Sequence, residues 1–188
     1  MKTPDEITAA LQSNDDTQRA AAISAAAECG AACVSPAANL LASPDTETRR
    51  AARRALQAVV RATGRTGKLG SAAREVEKGF LTALAGLQDV QARRDVIWFL
   101  SEVGDSVTVQ ALDALLAHAA LREDARCALE RIPGKQSLRA LANALAKAAP
   151  EFQPAIADSL RKRGAKVENH PSRRLVPVKP TTVRPVTS

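Results

Sequence analysis

Glycine follows an apolar, helix-like run at five places in this chain, and the five places are almost evenly spaced. They are Gly30, Gly64, Gly104, Gly134 and Gly164, which lie 34, 40, 30 and 30 residues apart. Glycine often ends an α-helix, because it adopts left-handed backbone angles that a Cβ atom disfavours. A recurrence at this interval predicts repeated units, each of which packs mainly against its neighbours.

The starts of the units also resemble one another: an aspartate is followed four residues later by an arginine. The three pairs are Asp15–Arg19, Asp45–Arg49 and Asp89–Arg93, and Arg126 takes the arginine position in a looser fourth copy. An acid at the start of a helix suits the helix dipole, and an arginine one turn later suits i, i+4 pairing. We therefore expect the aspartates to begin helices and the arginines to pair with them.

Each unit is interpreted as two helices. The first helices are predicted near 14–29, 45–62, 88–103, 120–131 and 151–163. The second helices are predicted near 36–43, 68–86, 106–119 and 135–148. Before them, TPDEITAAL predicts another start, with Thr3 as the N-cap and Glu6 as its capping-box partner. Ser35-Pro36 and Ser43-Pro44 repeat the cap-then-proline signal, so we expect a short helix between them.

Composition supports an all-α fold. Hydrophobic residues make up 45% of the 188 residues but aromatic residues only 2%. Much of the non-aromatic hydrophobic share is alanine, which favours helix and permits close helix–helix approach. After Gly164 the chain carries four of its ten prolines and loses its helical period. We predict a helical domain over 1–165 and a flexible basic tail over 166–188.

The repeated unit resembles the short HEAT-like repeat, the type also found in phycobilin-lyase-like proteins. The residues that carry the resemblance are LLASPDTETRRAARRAL (40–56) and GLQDVQARRDVIWFLSEVG (86–104), and it extends over roughly 10–164. This resemblance implies an α-solenoid of about five helix pairs, a fold generally used to bind other macromolecules. The Trp, Tyr and Pro positions of tetratricopeptide repeats and the ankyrin Thr-Pro-Leu-His signature are absent.

The net charge of +7 is unevenly distributed: residues 46–80 carry +6, and 161–188 carry +7. Within the first segment, six arginines lie on one face of the predicted helix 45–62 and its continuation, about 160° wide on a helical wheel. From this face we select Arg50, Arg53, Arg54, Arg61 and Arg65 as partner-binding residues. We expect a non-enzymatic interaction module that binds an acidic protein surface.

Three alternatives to that interpretation remain open. The basic face could contact phosphates together with the tail, which would make the chain a nucleic-acid-binding protein. It could also be the solvated face of an ordinary scaffold helix. An enzyme of the bilin-lyase or HEAT-like glycosylase type has only the family analogy behind it, because no aromatic cluster lies beside an acid. The scarcity of aromatics also argues against single-strand stacking.

No catalytic, cofactor-binding or metal-binding residue is predicted. Cys29 and Cys33 lack further ligands at metal-site spacing, because Cys127 is distant in sequence, so we expect the pair to be small buried thiols. An odd number of cysteines fits a reducing cytoplasm. The N-terminus lacks the pattern of a signal peptide, and we expect no membrane span. Trp98 and Phe99 lie in the apolar run DVIWFLSEV and are predicted to be core residues.

Overall fold

A computed structural model describes residues 2–63 and 70–170. Over these residues the chain is all-α, with ten α-helices and no strand. The helices are α1 (Pro4–Leu11), α2 (Asp16–Cys29), α3 (Val34–Asn39), α4 (Thr46–Thr63), α5 (Ser71–Gly86), α6 (Val90–Val103), α7 (Ser106–Leu115), α8 (Arg122–Arg131), α9 (Lys135–Lys147) and α10 (Gln153–Lys162). Two 3₁₀ turns, Gly30–Cys33 and Leu40–Ala42, flank α3. The predicted helices are confirmed, and the main differences are that α7 ends at Leu115 rather than near 119 and that α3 ends at Asn39 rather than near 43.

Capping residues at the helix starts explain why the predicted and observed helices agree. Thr3 and Glu6 form the expected capping box at α1. The carboxylate of Asp15 accepts from the Thr17 amide at 2.7 Å, and those of Asp45 and Asp89 accept from the amides of Thr48 (2.6 Å) and Ala92 (2.7 Å). Each capping aspartate satisfies an amide that has no partner within its own helix, so the boundary is encoded locally.

The arginine after each aspartate behaves differently from the prediction. Arg49 donates to the carbonyl oxygens of Ser43 at 2.7 Å and Pro44 at 2.9 Å. Arg19 donates in the same way to the Ser13 carbonyl, and its ion pair is with Asp16. The expected pairing with the capping aspartates is wrong because those carboxylates already accept from backbone amides. Arg19 and Arg49 instead bind the backbone of the turn before their helices.

The two Ser-Pro signals did not act as caps. Pro36 lies inside α3, which begins at Val34 without a side-chain cap. Ser43 precedes α4, but its hydroxyl accepts from the Asp45 amide at 3.2 Å, and Asp45 then caps the helix. The short helix that was expected between the two signals is present. Its first turn continues directly from a 3₁₀ turn and therefore needs no separate N-cap.

Most helices adjacent in chain order pack together, and so do helices two apart. The even-numbered helices contact one another in the sequence α2, α4, α6, α8, α10, and the odd-numbered helices α1, α3, α5, α7, α9 do likewise. One continuous apolar core runs between them. Its members include one buried residue from each helix: Ile7, Ala22, Val34, Leu56, Phe80, Phe99, Leu112, Leu129, Leu141 and Ile156.

Two glycines allow close approach between elements. A Cβ atom at Gly79 would lie 3.0 Å from Cβ of Val34, where α5 meets α3. At Gly104 a Cβ would lie 2.5 Å from both the Leu100 carbonyl oxygen and the Thr108 side chain. The φ of −76° at Gly104 corrects the left-handed cap expected there, and tight packing accounts for this glycine instead. Gly30, Gly134 and Gly164 do have positive φ, and Gly64 lies outside the described residues.

One stretch, Asp16–Ala42, has the length and the mean hydropathy, 1.3, of a helix that could cross a membrane. In the structure α2 ends at Cys29, and φ is 65° at the following Gly30, so the stretch is not one straight helix. Its residues Ala22, Ala26 and Val34 belong to the core described above. The expectation of no membrane span remains a prediction.

Beyond α10, residues 165–170 contain no helix. Ala165 and Val167 pack against the core, and Arg161 donates to the carbonyl oxygen of His170. The first residues of the predicted tail, 166–170, therefore lie against the helices. The remainder of that predicted segment, 171–188, lies outside the described residues.

Candidate functional site

A shallow groove separates α2 from α4 on the face where the arginines lie. It encloses about 590 Å³. The residues that line it, here called the α2–α4 groove, are Ile23 and Ala27 from α2 and Arg54, Gln57, Ala58, Arg61 and Ala62 from α4. The groove has an apolar floor with two guanidinium groups beside it.

The sequence spacing explains why this groove forms. On α4 the lining positions are 54, 57, 58, 61 and 62, which recur at i, i+3, i+4, i+7 and i+8 and so share one face. On α2, positions 23 and 27 are one turn apart. Alanine lines the groove from both helices, and its single methyl group leaves the space between the larger side chains unfilled.

Arg54 and Arg61 are the two predicted residues that the structure brings together in the groove. Both are exposed, and they lie two helical turns apart, about 10.5 Å along the axis. Within residues 2–63 and 70–170, no carboxylate forms an ion pair with either guanidinium. Their charge is therefore directed at solvent and at whatever occupies the groove.

The other predicted arginines have different surroundings. Arg50 pairs with Glu47 on its own helix at 2.6 Å, and both side chains are largely exposed. Arg53 reaches α6 and lies 3.5 Å from Asp95. Burial raises the pKa of Asp95, although the charge of Arg53 opposes that shift. Arg65 lies outside the described residues. The predicted basic strip is thus divided between a groove, a helix surface and a contact between helices.

Two further cavities lie near the C-terminal helices. One, of about 440 Å³, is bounded by α7, α9 and α10, and Arg122 lines it. That guanidinium lies 4.7 Å from the centre of the Phe152 ring and 3.4 Å from Glu151, so its charge already has partners. The other, of about 450 Å³, lies between α9 and residues 165–170 and is mostly apolar.

The cysteines differ from one another in exposure. Cys33 is buried as expected, Cys29 is only half-buried, and Cys127 is exposed. Cys127 is exposed because it lies on the outer side of α8, where its Sγ accepts from Arg126 at 3.0 Å. Burial, assisted by a hydrogen bond with Cys29, raises the pKa of Cys33 to about 12. Cys33 is therefore an unreactive thiol near neutral pH.

The prediction that Trp98 is a core residue is wrong. Phe99 is fully buried and stacks on Phe80 with ring centres 5.3 Å apart, as a core residue should. Trp98 is 36% exposed. It follows Ala92 by six residues, so it lies at about 240° on a wheel that starts there, whereas the buried residues of α6 cover about 340° through 0° to 180°. A continuous apolar run still has an outer face when it is helical.

In the ranges 2–63 and 70–170, no group of three or more His, Cys, Asp or Glu side chains is placed to hold a metal ion. This observation does not test the prediction that the chain needs no metal or cofactor. The chemistry that the described surface does offer is charge and apolar contact in the α2–α4 groove.

No protein-family model matches this chain, and no curated protein matches it either. Among solved structures, it is similar to an engineered protein determined by the Northeast Structural Genomics Consortium, with a TM-score of 0.45 and 20% identity. The match covers 86% of this chain and 79% of that chain. A likeness of this degree carries no argument about fold or function.

Proposed function

We propose that the chain is a HEAT-like α-solenoid that acts as a non-enzymatic interaction module and binds an acidic protein surface in the α2–α4 groove. The solenoid is supported by the packing of even-numbered helices on even-numbered helices and of odd on odd. Such a stack has a long surface and little enclosed volume, which suits binding of macromolecules. We also propose that the protein is located in the cytoplasm, and this rests on its cysteine content alone.

A single observation carries the choice of partner: Arg54 and Arg61 stand beside an apolar floor without a carboxylate partner in the described part of the chain. Paired charges on a surface contribute little to binding, since a new partner must compete with the old one. Unpaired charges beside apolar surface favour a partner that brings carboxylates together with apolar side chains. An acidic protein segment has that chemistry.

The test is binding of a labelled acidic peptide to the purified 188-residue protein, with duplex DNA of similar length as the second probe. The decisive variant carries Arg54→Glu and Arg61→Glu. It should weaken peptide binding by at least about tenfold, because an exposed ion pair contributes up to about 1 kcal/mol and reversal turns attraction into repulsion. Folding should be almost unchanged, since both side chains are exposed.

The matched control carries Arg74→Glu and Lys78→Glu. These residues are exposed, lie one turn apart on α5, and give the same change in net charge outside the groove. Equal loss of binding in both variants would reduce the effect to overall charge. Tight duplex binding near 150 mM salt, weakened only by the groove variant, would favour the nucleic-acid alternative, because nonspecific phosphate contacts are strongly weakened by salt. If neither probe binds, the arginine face is only a solvated scaffold face.

A further inference from the structure

Trp98 is the only tryptophan of the chain, and it is one of the three large apolar side chains exposed among the described residues. Its ring is held from two sides. The Phe99 ring meets it edge to face with centres 5.3 Å apart, and the Arg131 guanidinium lies 5.8 Å from its centre. Arg131 is itself paired with Glu102, one turn after Trp98 on α6. A large ring held in place and exposed loses little conformational freedom on binding.

Trp98 has the same register on α6 as Arg54 has on α4, so both belong to the exposed face of the layer of even-numbered helices. Arg54 lies nine positions after Asp45, and Trp98 lies nine positions after Asp89, and each of these aspartates caps its helix. The burial pattern of the helices confirms this register. The positions seven and eleven after the cap are buried in α2, α4 and α6, whereas the ninth is exposed in all three.

The distance between the two residues follows from helix packing. Helix α4 contacts both α2 and α6, so Trp98 is one helix further along the layer than Arg54. Packed helix axes lie about 8–10 Å apart. An extended peptide covers that distance in about three residues, at about 3.3 Å each. One short segment that crosses α4 can therefore reach the groove and the indole together.

We propose that Trp98 is a second anchor of the docking surface. The occupant is an acidic segment that crosses α4, with carboxylates at Arg54 and Arg61 and a large apolar side chain, about three residues away, packed on the Trp98 ring. This inference rests on the proposed function and adds the apolar determinant of the partner. Tryptophan and arginine are the side chains that most often dominate the affinity of protein interfaces.

The experiment uses two 12-residue acidic peptides that lack Trp and Tyr. One contains a single leucine flanked by Asp and Glu, and the other has serine in its place. Because Trp98 is the only tryptophan, its fluorescence reports on its surroundings directly. The leucine peptide should shift Trp98 emission to shorter wavelength and should bind the Trp98→Ala protein about tenfold more weakly than wild type. The serine peptide should bind both proteins equally.

Val107→Ser is the control variant, because Val107 is an exposed apolar residue on α7, 55% accessible. It should bind the leucine peptide as wild type does. Trp98→Phe should recover part of the affinity lost in Trp98→Ala, since a ring remains.

The outcomes separate this inference from the proposed function. Unchanged emission and unchanged affinity of Trp98→Ala for the leucine peptide would overturn the inference. If Arg54→Glu with Arg61→Glu still weakens both peptides in that case, the proposed function stands without it. If the double variant binds as wild type does, or if neither peptide binds wild type, the proposed function fails, and the inference fails with it.

Discussion

At the scale of single residues, neighbouring side chains of similar chemistry have opposite roles. Phe99 stacks on Phe80 in the core between α5 and α6, whereas Trp98 lies on the outer side of α6. The difference comes from the 100° rotation between successive residues of a helix, which turns one ring inward and the next outward. Hydrophobicity alone does not distinguish them.

This arrangement predicts different costs for truncation. Phe99→Ala should lower the free energy of unfolding by about 3–5 kcal/mol, because it leaves a cavity in close-packed surroundings. Trp98→Ala should cost less than that, because Trp98 is already 36% exposed to water. Urea unfolding followed by circular dichroism measures both values without relying on the tryptophan. Equal losses would show that Trp98 is structural rather than a surface anchor.

At the scale of single helices, aspartate caps set the boundaries. Hydrogen bonds from Thr48 hold the pKa of Asp45 below its ordinary value, and the Thr17 and Gln18 amides do the same for Asp15. A carboxyl with a lowered folded-state pKa stabilises the fold above its unfolded pKa. That stabilisation is lost as the pH falls through the folded-state pKa. The caps therefore contribute fully at neutral pH and disappear in acid.

The corresponding prediction concerns Asp45→Ala. At pH 7 the variant should melt about 2–4 °C below wild type, because the amide of Thr48 loses its acceptor. The difference should hold down to about pH 4, the ordinary range for aspartate, and shrink below it as the wild-type carboxylate is protonated. Asp45→Asn is the control, since asparagine caps well but does not titrate. A pH-independent deficit in the alanine variant would contradict the assignment of Asp45 as an ionised cap.

At the scale of the whole molecule, polar side chains join successive helix pairs. Buried Glu77 on α5 accepts from the Asp105 amide at 2.9 Å and the Thr108 hydroxyl at 2.5 Å, at the start of α7. Arg163, after α10, donates to the carbonyl oxygens of Leu129 and Ile132, both at 2.8 Å. These contacts span about 30 residues of sequence, close to the length of the predicted repeat. Each ties one unit to the next rather than to distant ones.

Arg163→Ala tests whether stability is distributed in this way. It should cost about 2–3 kcal/mol, because a charged donor is lost and carbonyls of the α8–α9 turn lose their partner. Hydrogen exchange should become faster in α8–α10 and stay unchanged in α1–α3, since units of a repeat array are stabilised mainly by their neighbours. Lys162→Ala is the control, because Lys162 is exposed and makes one surface pair with Glu130. Faster exchange throughout the chain would contradict the proposed repeat array.

Much of the fold was predictable from sequence because its signals are local. Caps, helix periods and the recurring glycines act within one or two turns, so the bounds of α2, α4 and α6 match the prediction within two residues. Alanine content and the absence of strand patterns indicated the all-α class in the same way. The exposure of Trp98 was also encoded, since the helical wheel that divides α4 into two faces places this residue on the outer face of α6.

Contacts between distant residues were not predictable in this way. A wheel places Arg53 and Arg54 on one basic face, but only packing directs Arg53 to Asp95 on α6 and leaves Arg54 in the α2–α4 groove. Likewise, the need for glycine at 104 depends on how closely Thr108 approaches. Such features depend on contacts between particular residues. Some of these are separated by about 40 residues of chain, as Arg53 and Asp95 are, and others face each other across a tight turn, as Gly104 and Thr108 do. Helical periodicity assigns a residue to a face, and the packing of neighbouring helices decides what that face contacts.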